Sequence, residues 1–195
     1  MRKHLIIIAL AVFMPLMAAA QYGRQSNAII AHVGGGWGGF PGRSSATRID
    51  HFMGALGADL KLPMTGNWSL LVGLDYQFRF IKSGYNTYNG STSYSHSTFL
   101  NGHYLRLPVR MEYDYNWFYV AAGPYLEKGF GNMPARNEMG ILGLNLELGT
   151  RFEINRYDHL RIGLLNSFGA VFDNKMRMNY TELNFVLRVG YEHQF

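Results

Sequence analysis

From residue 27 to the end of the chain, apolar and polar residues alternate with a period of two, and no segment carries the spacing of an amphipathic helix. The alternation predicts eight strands, over 27–37, 50–62, 67–81, 101–113, 117–127, 139–154, 159–172 and 180–195. The connections between them alternate in length. Pro63-Met64-Thr65-Gly66, the segment 114–116 and the segment 155–158 are tight turns, rich in the residues that turns require. The other connections, including 82–101 and the stretch around Pro134, are longer than hairpin pairing demands. This rhythm predicts an all-β chain folded as an eight-stranded antiparallel up-and-down barrel, with its long loops at one end. The barrel occupies 21–195 as one domain, with no linker or low-complexity tail.

Alternation alone does not say which face meets water. Three features put the apolar face outside, which makes the barrel transmembrane. The sixth strand carries Leu142, Leu144, Leu146, Leu148, Thr150, Phe152 and Ile154 on one face, and the third carries Leu70, Val72, Leu74, Tyr76, Phe78 and Phe80. Strands of this length span an apolar band when tilted. The opposite face mixes charge with glycine, as in Gly143, Asn145, Glu147, Gly149, Arg151 and Glu153, or Arg161, Gly163, Ser167 and Gly169. Glycine weakens a strand on an open surface. Inside a barrel only just wide enough for its own side chains, it makes room for a neighbour's Arg or Glu. Aromatics also gather in two groups, Trp68, Tyr113, Trp117, Tyr157 and Tyr191 near the short turns, and Trp37, Phe80, Phe172 and Tyr180 near the long loops. Two such belts are expected where amphipathic rings meet the two membrane interfaces.

The N-terminus sets the compartment. Arg2 and Lys3 precede an apolar run over 5–17, and Ala18-Ala19-Ala20 stand before Gln21 in the manner of a cleavage site. The run is shorter than the ~20 residues of a membrane-spanning helix, so 1–20 reads as a cleaved export signal. Its removal takes the formal net charge from +5 to +3, and so mild a balance points to no nucleic-acid partner. The chain has no cysteine, which excludes disulfides as the means of holding an exported fold. No later stretch is long and apolar enough to be a membrane-spanning helix.

A signal segment, eight strands with alternating connections and the terminal Phe195 together resemble a bacterial outer-membrane β-barrel. The segment Tyr104-Leu105-Arg106-Leu107-Pro108-Val109-Arg110-Met111-Glu112-Tyr113 is similar to a strand of the porin-family, PorT-like barrel domain common in Bacteroidetes, with Leu107 where that motif usually has Ile. The Ala-Gln junction is similar to signal sites of that group. The resemblance implies that the final strand, with Tyr191 and Phe195, is read by the barrel-assembly machinery. It also implies a place in the cell outer membrane and an accessory part in secretion, within a membrane protein complex.

The polar face collects Asp59, Asp75, Glu112, Glu127, Glu147, Glu153 and Glu192 against Lys61, Arg79, Arg106, Arg110, Arg151, Arg161 and Arg188. Unpaired charge in a low-dielectric interior costs several kcal/mol, so these groups are expected to pair as a lumen network. The long-loop end holds Arg43, Arg48, Lys82, Lys128, Arg136, Lys175 and Arg177 against Asp50, Glu138 and Asp173. Those cations are expected to face the phosphates of lipopolysaccharide and outer-membrane lipid. The connection 82–101 carries Tyr85, Tyr88, Tyr94 and Phe99 among small polar residues, a mixture suited to recognition.

No catalytic residue is assigned: Ser93, Ser95, His96, Ser97 and His103 have no acidic residue nearby in sequence to orient an imidazole. No metal-ligand spacing is present, and no cofactor is implied. The Gly34–Gly39 run reads as a strand end turning into a flexible loop rather than a phosphate loop. The expected function is therefore non-catalytic, whether structural, adhesive or as part of a complex. A narrow diffusion channel and a lipid A-modifying enzyme are the alternatives, with a soluble lipocalin-like binder a more distant one.

Overall fold

A computed structural model describes residues 26–39, 49–89, 92–130, 138–173 and 178–195, among which there is no helix. Eight strands follow in chain order: β1 (Ala28–Gly39), β2 (Ile49–Pro63), β3 (Trp68–Asn89), β4 (Thr92–Tyr115), β5 (Phe118–Phe130), β6 (Glu138–Glu153), β7 (Asp158–Asp173) and β8 (Met178–Gln194). Each pairs antiparallel with the next, and β1 pairs with β8 to close the barrel. Closure removes both sheet edges, so every strand has partners on both sides. The segment 1–20, read as an export signal, lies outside the described residues.

Along each strand the side chains alternate between lumen and exterior. On β6 Ile141, Asn145 and Glu147 are buried, while Leu142, Leu144, Leu146 and Leu148 are exposed. Val33, Leu56, Leu107, Leu126, Leu164 and Leu187 carry the same exposed apolar surface around the wall, with Leu56 59% and Leu144 62% exposed. Water-soluble monomers rarely show apolar patches of more than a few hundred Å2, so a belt that runs around the whole barrel is the surface of a wall solvated by lipid. At the short-turn end Trp68, Trp117, Tyr157 and Tyr191 are exposed, with Trp68 packed on Tyr113 at 4.9 Å; at the other end Trp37 and Phe80 point outward. Asn166 is the polar exception on the outer face of β7, in register between Leu146 and Phe185.

Two expectations about loops are corrected. The segment 82–101 is not a loop: β3 and β4 continue as a paired ribbon from Lys82↔Phe99 up to Asn89↔Thr92, in unbroken register. Asn and Gly have low intrinsic strand preference, but a growing hairpin supplies each residue with a backbone partner, and tertiary pairing overrides propensity. The overlooked signal is Gly90-Ser91, a dipeptide of the kind that two-residue hairpins use, between the paired Asn89 and Thr92. Tyr85, Tyr88, Tyr94 and Phe99 thus stand on strands, as do Ser93, Ser95, His96 and Ser97; their side chains lie outside the described residues. The Gly34–Gly39 run is likewise strand, not loop. A Cβ on Gly36 would lie 1.9 Å from the Phe185 carbonyl oxygen, and one on Gly38 would lie 1.9 Å from Asn184 Oδ1. Glycine here lets β1 lie close against β8.

The lumen glycines of β6 and β7 make room chiefly for tyrosine, where the sequence pointed to Arg or Glu. Tyr119 lies against Gly149 and Gly163, and Tyr125 against Gly143 and Gly169. On β2 and β3 the expectation of charged neighbours holds, since Gly57 faces Asp75 and His32, and Gly73 faces Asp59. Tyrosine rings are rigid fillers, so a side chain added opposite them has nowhere to go. Gly149→Leu, whose Cβ alone would come 2.4 Å from the Tyr119 ring, should cost at least the ~1–3 kcal/mol typical of overpacking. A urea titration of the barrel in lipid vesicles checks this, and an unchanged midpoint would contradict the packing described.

Candidate functional site

The lumen is filled by charged side chains that sort into three tiers along the barrel. In the tier nearest the long connections, Arg79 donates to Glu127 at 2.6 Å, to Gln77 at 2.8 Å and to Glu182 at 3.0 Å. Arg106 donates from Nε to the other Glu127 oxygen at 2.8 Å. The guanidinium of Arg79 lies 3.8 Å from the centre of the Tyr104 ring, and that of Arg106 lies 4.1 Å from the Tyr125 ring. These stacks desolvate the cations while offering them an electron-rich face. His51 and Asn184 share a 2.8 Å hydrogen bond beside Glu182.

In the middle tier Arg110 bridges Asp59, at 2.6 Å, and Glu147. Arg188 reaches Glu147 at 2.9 Å and Asp75 at 3.4 Å. Tyr119 donates its hydroxyl to Glu147 at 2.8 Å, and His32 sits 3.3 Å from Asp59 and 3.2 Å from Asp75. Two guanidiniums and the His32 ring here face three carboxylates. In the tier nearest the short turns Lys61 lies 2.7 Å from both Glu112 and Asp114, and Arg161 binds Glu112 and Glu192, the latter at 2.9 Å. Arg151, partly exposed, stands 3.5 Å from Asp114 and 3.6 Å from Glu192.

The structure thus brings Asp59, Asp75, Arg79, Arg106, Arg110, Glu112, Glu127, Glu147, Arg151, Arg161, Arg188 and Glu192 into the lumen as paired charges, with Lys61, and Tyr119 joins the middle tier to the lower one between Glu147 and Arg161. Glu153 is different: although it shares their strand parity, it is exposed at the rim, because β6 ends there and the barrel interior opens to solvent. Sequence reasoning did not single out His32, His51, Asp114, Glu182, Asn184 and the three lumen tyrosines. Parity alone would have placed the polar ones among them; the tyrosines carry no such signal, since rings suit either face.

Three groups that could ligate a metal do meet in space, although no metal-ligand spacing is present in the sequence. His32, Asp59 and Asp75 come from three adjacent strands, and their donor atoms gather within 4.8 Å of one another. Spacing along one strand could not reveal this. Arg188 and Arg110 already lie on these same carboxylates, so the cluster works as an ion-pair hub. A cavity of about 10 Å3 remains between His32, Asp59, Arg110, Glu147 and Arg188, room for about one water.

On the exterior, Lys128 is exposed on β5, and among the described residues it makes no ion pair. Arg43, Arg48, Arg136, Lys175 and Arg177 lie outside the described residues, as do the side chains of Lys82, Asp50, Glu138 and Asp173. His103 faces outward, its Nδ1 2.6 Å from the Tyr76 hydroxyl and its ring between those of Tyr76, Phe78 and Phe130. The last strand is tied down at the short-turn end. Phe195 donates its backbone N–H to Asn27 at 2.9 Å, Tyr191 donates its hydroxyl to Asp158 at 2.5 Å, and His193 meets the same Asp158 oxygen at 2.7 Å. Phe195 itself is 61% exposed.

No family model and no curated protein matches the chain. Solved structures do. The crystal structure of the outer membrane protein OprG from Pseudomonas aeruginosa superposes with a TM-score of 0.55 at 14% identity, over 88% of this chain and 96% of that one. Neisserial surface protein A gives 0.53 at 14% identity, over 87% and 97%, and AlkL in lipid bilayers gives 0.53 at 12%, over 88% and 90%. The fold is that of the eight-stranded outer-membrane barrels. At these identities the likeness extends to architecture alone.

Proposed function

We propose that the chain is an exported outer-membrane barrel whose role is non-catalytic, as a structural, adhesive or complex-accessory component. One observation carries this reading: the lumen is closed by its own side chains. Arg79, Arg106, Arg110, Glu112, Glu127 and Glu192 are each about 1% exposed or less to water, or at most 3% for Glu127. A solute could cross only by breaking several buried ion pairs together, each costly to leave half made. The wall, by contrast, is built for lipid, and its likeness to outer-membrane barrels supports that membrane. Tyr104-Leu105-Arg106-Leu107-Pro108 supports the PorT-like, Bacteroidetes reading and the secretion-accessory role. There Tyr104 and Arg106 fill the upper lumen tier while Leu105 and Leu107 face lipid. The exposed Phe195 beside Tyr191 supports recognition of the last strand by the assembly machinery.

Single-channel recording in planar bilayers tests the closed lumen. The refolded mature barrel should give no discrete conductance steps. Regular steps that vanish when the lumen network is altered would favour the narrow diffusion channel instead. Unchanged lipid A mass spectra with and without the protein are expected as well; a new acyl or sugar difference would point to the enzyme.

A further inference from the structure

Among the described residues the ladder between β5 and β6 ends below the upper edge of the barrel. The ladder between β5 and β6 runs from Phe118↔Thr150 to Glu127↔Ile141 and stops there. Above that point β5 continues to Phe130 on the side of β4, where it pairs with His103, and β6 reaches up to Glu138 on the side of β7, where it pairs with Asp173. Among the described residues each strand is paired there on one side only. Below and beside the split lies an apolar cleft of about 490 Å3, lined by Leu105, Leu107, Leu126, Ile141, Leu142 and Phe172 with Lys128 at its margin. That volume lies within the range of ligand-holding clefts.

The height of the cleft says what it meets. Lys128 stands ten residues along β5 from Phe118, which adjoins the Trp117 turn. At ~3.3 Å per residue and a tilt near 40°, that is about 25 Å, the full height of the apolar band of a membrane barrel. The ammonium of Lys128 is therefore at headgroup level, and the cleft beneath it is among the acyl chains of the same leaflet. The Glu127 carboxylate, which borders the cleft, turns inward to Arg79 and Arg106, and among the described residues the exposed Lys128 makes no ion pair on the outside. Unpaired strand backbone is costly against hydrocarbon, but at this level phosphate and ester oxygens can accept from it.

We propose that the cleft between β5 and β6 is a docking site for one lipopolysaccharide molecule, with an acyl chain in the slot and a lipid A phosphate on Lys128. This rests on the outer-membrane reading, in which the anionic lipid at the long-connection end is lipopolysaccharide. Lys128 supplies a point charge to the phosphate, and the leucines bury the chain without a polar cost. A flat barrel wall holds no lipid in particular; a slot with an exposed cation at its margin selects a lipid that has both a chain and an anion.

Native mass spectrometry of the refolded barrel in micelles, with lipopolysaccharide, phosphatidylglycerol and phosphatidylcholine added separately, tests the proposal. The wild-type barrel should retain one lipopolysaccharide through activation energies that strip both phospholipids. Lys128→Gln should weaken that retention about tenfold, and Leu142→Trp, which fills the slot with an apolar side chain on the lipid face, should abolish it. Both variants should still migrate as folded barrels on unboiled gels. Retention by folded Lys128→Gln and Leu142→Trp equal to the wild type would overturn the site, as would equal retention of phosphatidylcholine or a complex containing two chains. Those failures leave the barrel reading standing; failure of the wild type to insert into vesicles would remove that reading itself.

Discussion

Arg110→Met should lower the stability of the folded barrel by about 3–5 kcal/mol, the usual cost of removing one partner from a buried charge pair. The methionine keeps most of the stem and loses only the guanidinium. Asp59 then retains His32 at 3.3 Å and Arg188 at 3.7 Å, while Glu147 retains Arg188 and Tyr119. One guanidinium is left among three carboxylates in a tier with room for about one water. The contrast is Arg151→Met, whose side chain is 20% exposed and no closer than 3.5 Å to an acid. It should cost less than about 1 kcal/mol, as rim pairs do. Urea midpoints in phospholipid vesicles measure both. Adding Asp59→Asn to Arg110→Met should cost less than the two single changes summed, because contacting residues couple. Equal midpoints for Arg110→Met and wild type would mean that the lumen charges do not hold the wall.

Leu146→Arg should cost about 2–4 kcal/mol and impair assembly, as a cation does at the midplane of a membrane barrel. Leu146 lies midway along β6, in register with Ala122 on one side and Asn166 on the other, and faces outward. A guanidinium there is ten or more Å from either headgroup layer by strand geometry, too far to reach water comfortably. Leu146→Phe, equally apolar, should leave insertion unchanged. The unboiled gel shift and the urea midpoint read the difference. Normal insertion of Leu146→Arg would show that the lipid face had been assigned to the wrong side of the strand.

The faces of the strands were legible because alternation is a property of a single strand. Each of Asp59, Asp75, Glu112 and Arg188 could be given its side from its immediate neighbours. The extent of β3 and β4 was harder to read, because Ser, Thr, Asn and Gly between 82 and 101 suit loops as well as a hairpin arm. There the Gly90-Ser91 pair was the informative signal, and composition masked it. Tyr119 and Tyr125 were hidden for another reason: a ring with a hydroxyl is at home in lipid, at an interface or against a guanidinium.

What the sequence determined by itself was the strand number, the parity of each residue and the near balance of charge on one face. Partners were decided only by closure. His51 and Asn184 are 133 residues apart and bond because β1 joins β2 to β8; His32, Asp59 and Asp75 meet because three strands lie side by side in one stagger. The end of the β5–β6 ladder, and so the cleft under Lys128, is equally a tertiary fact. Pairing across a barrel depends on shear, a quantity shared by all eight strands and written in none of them singly.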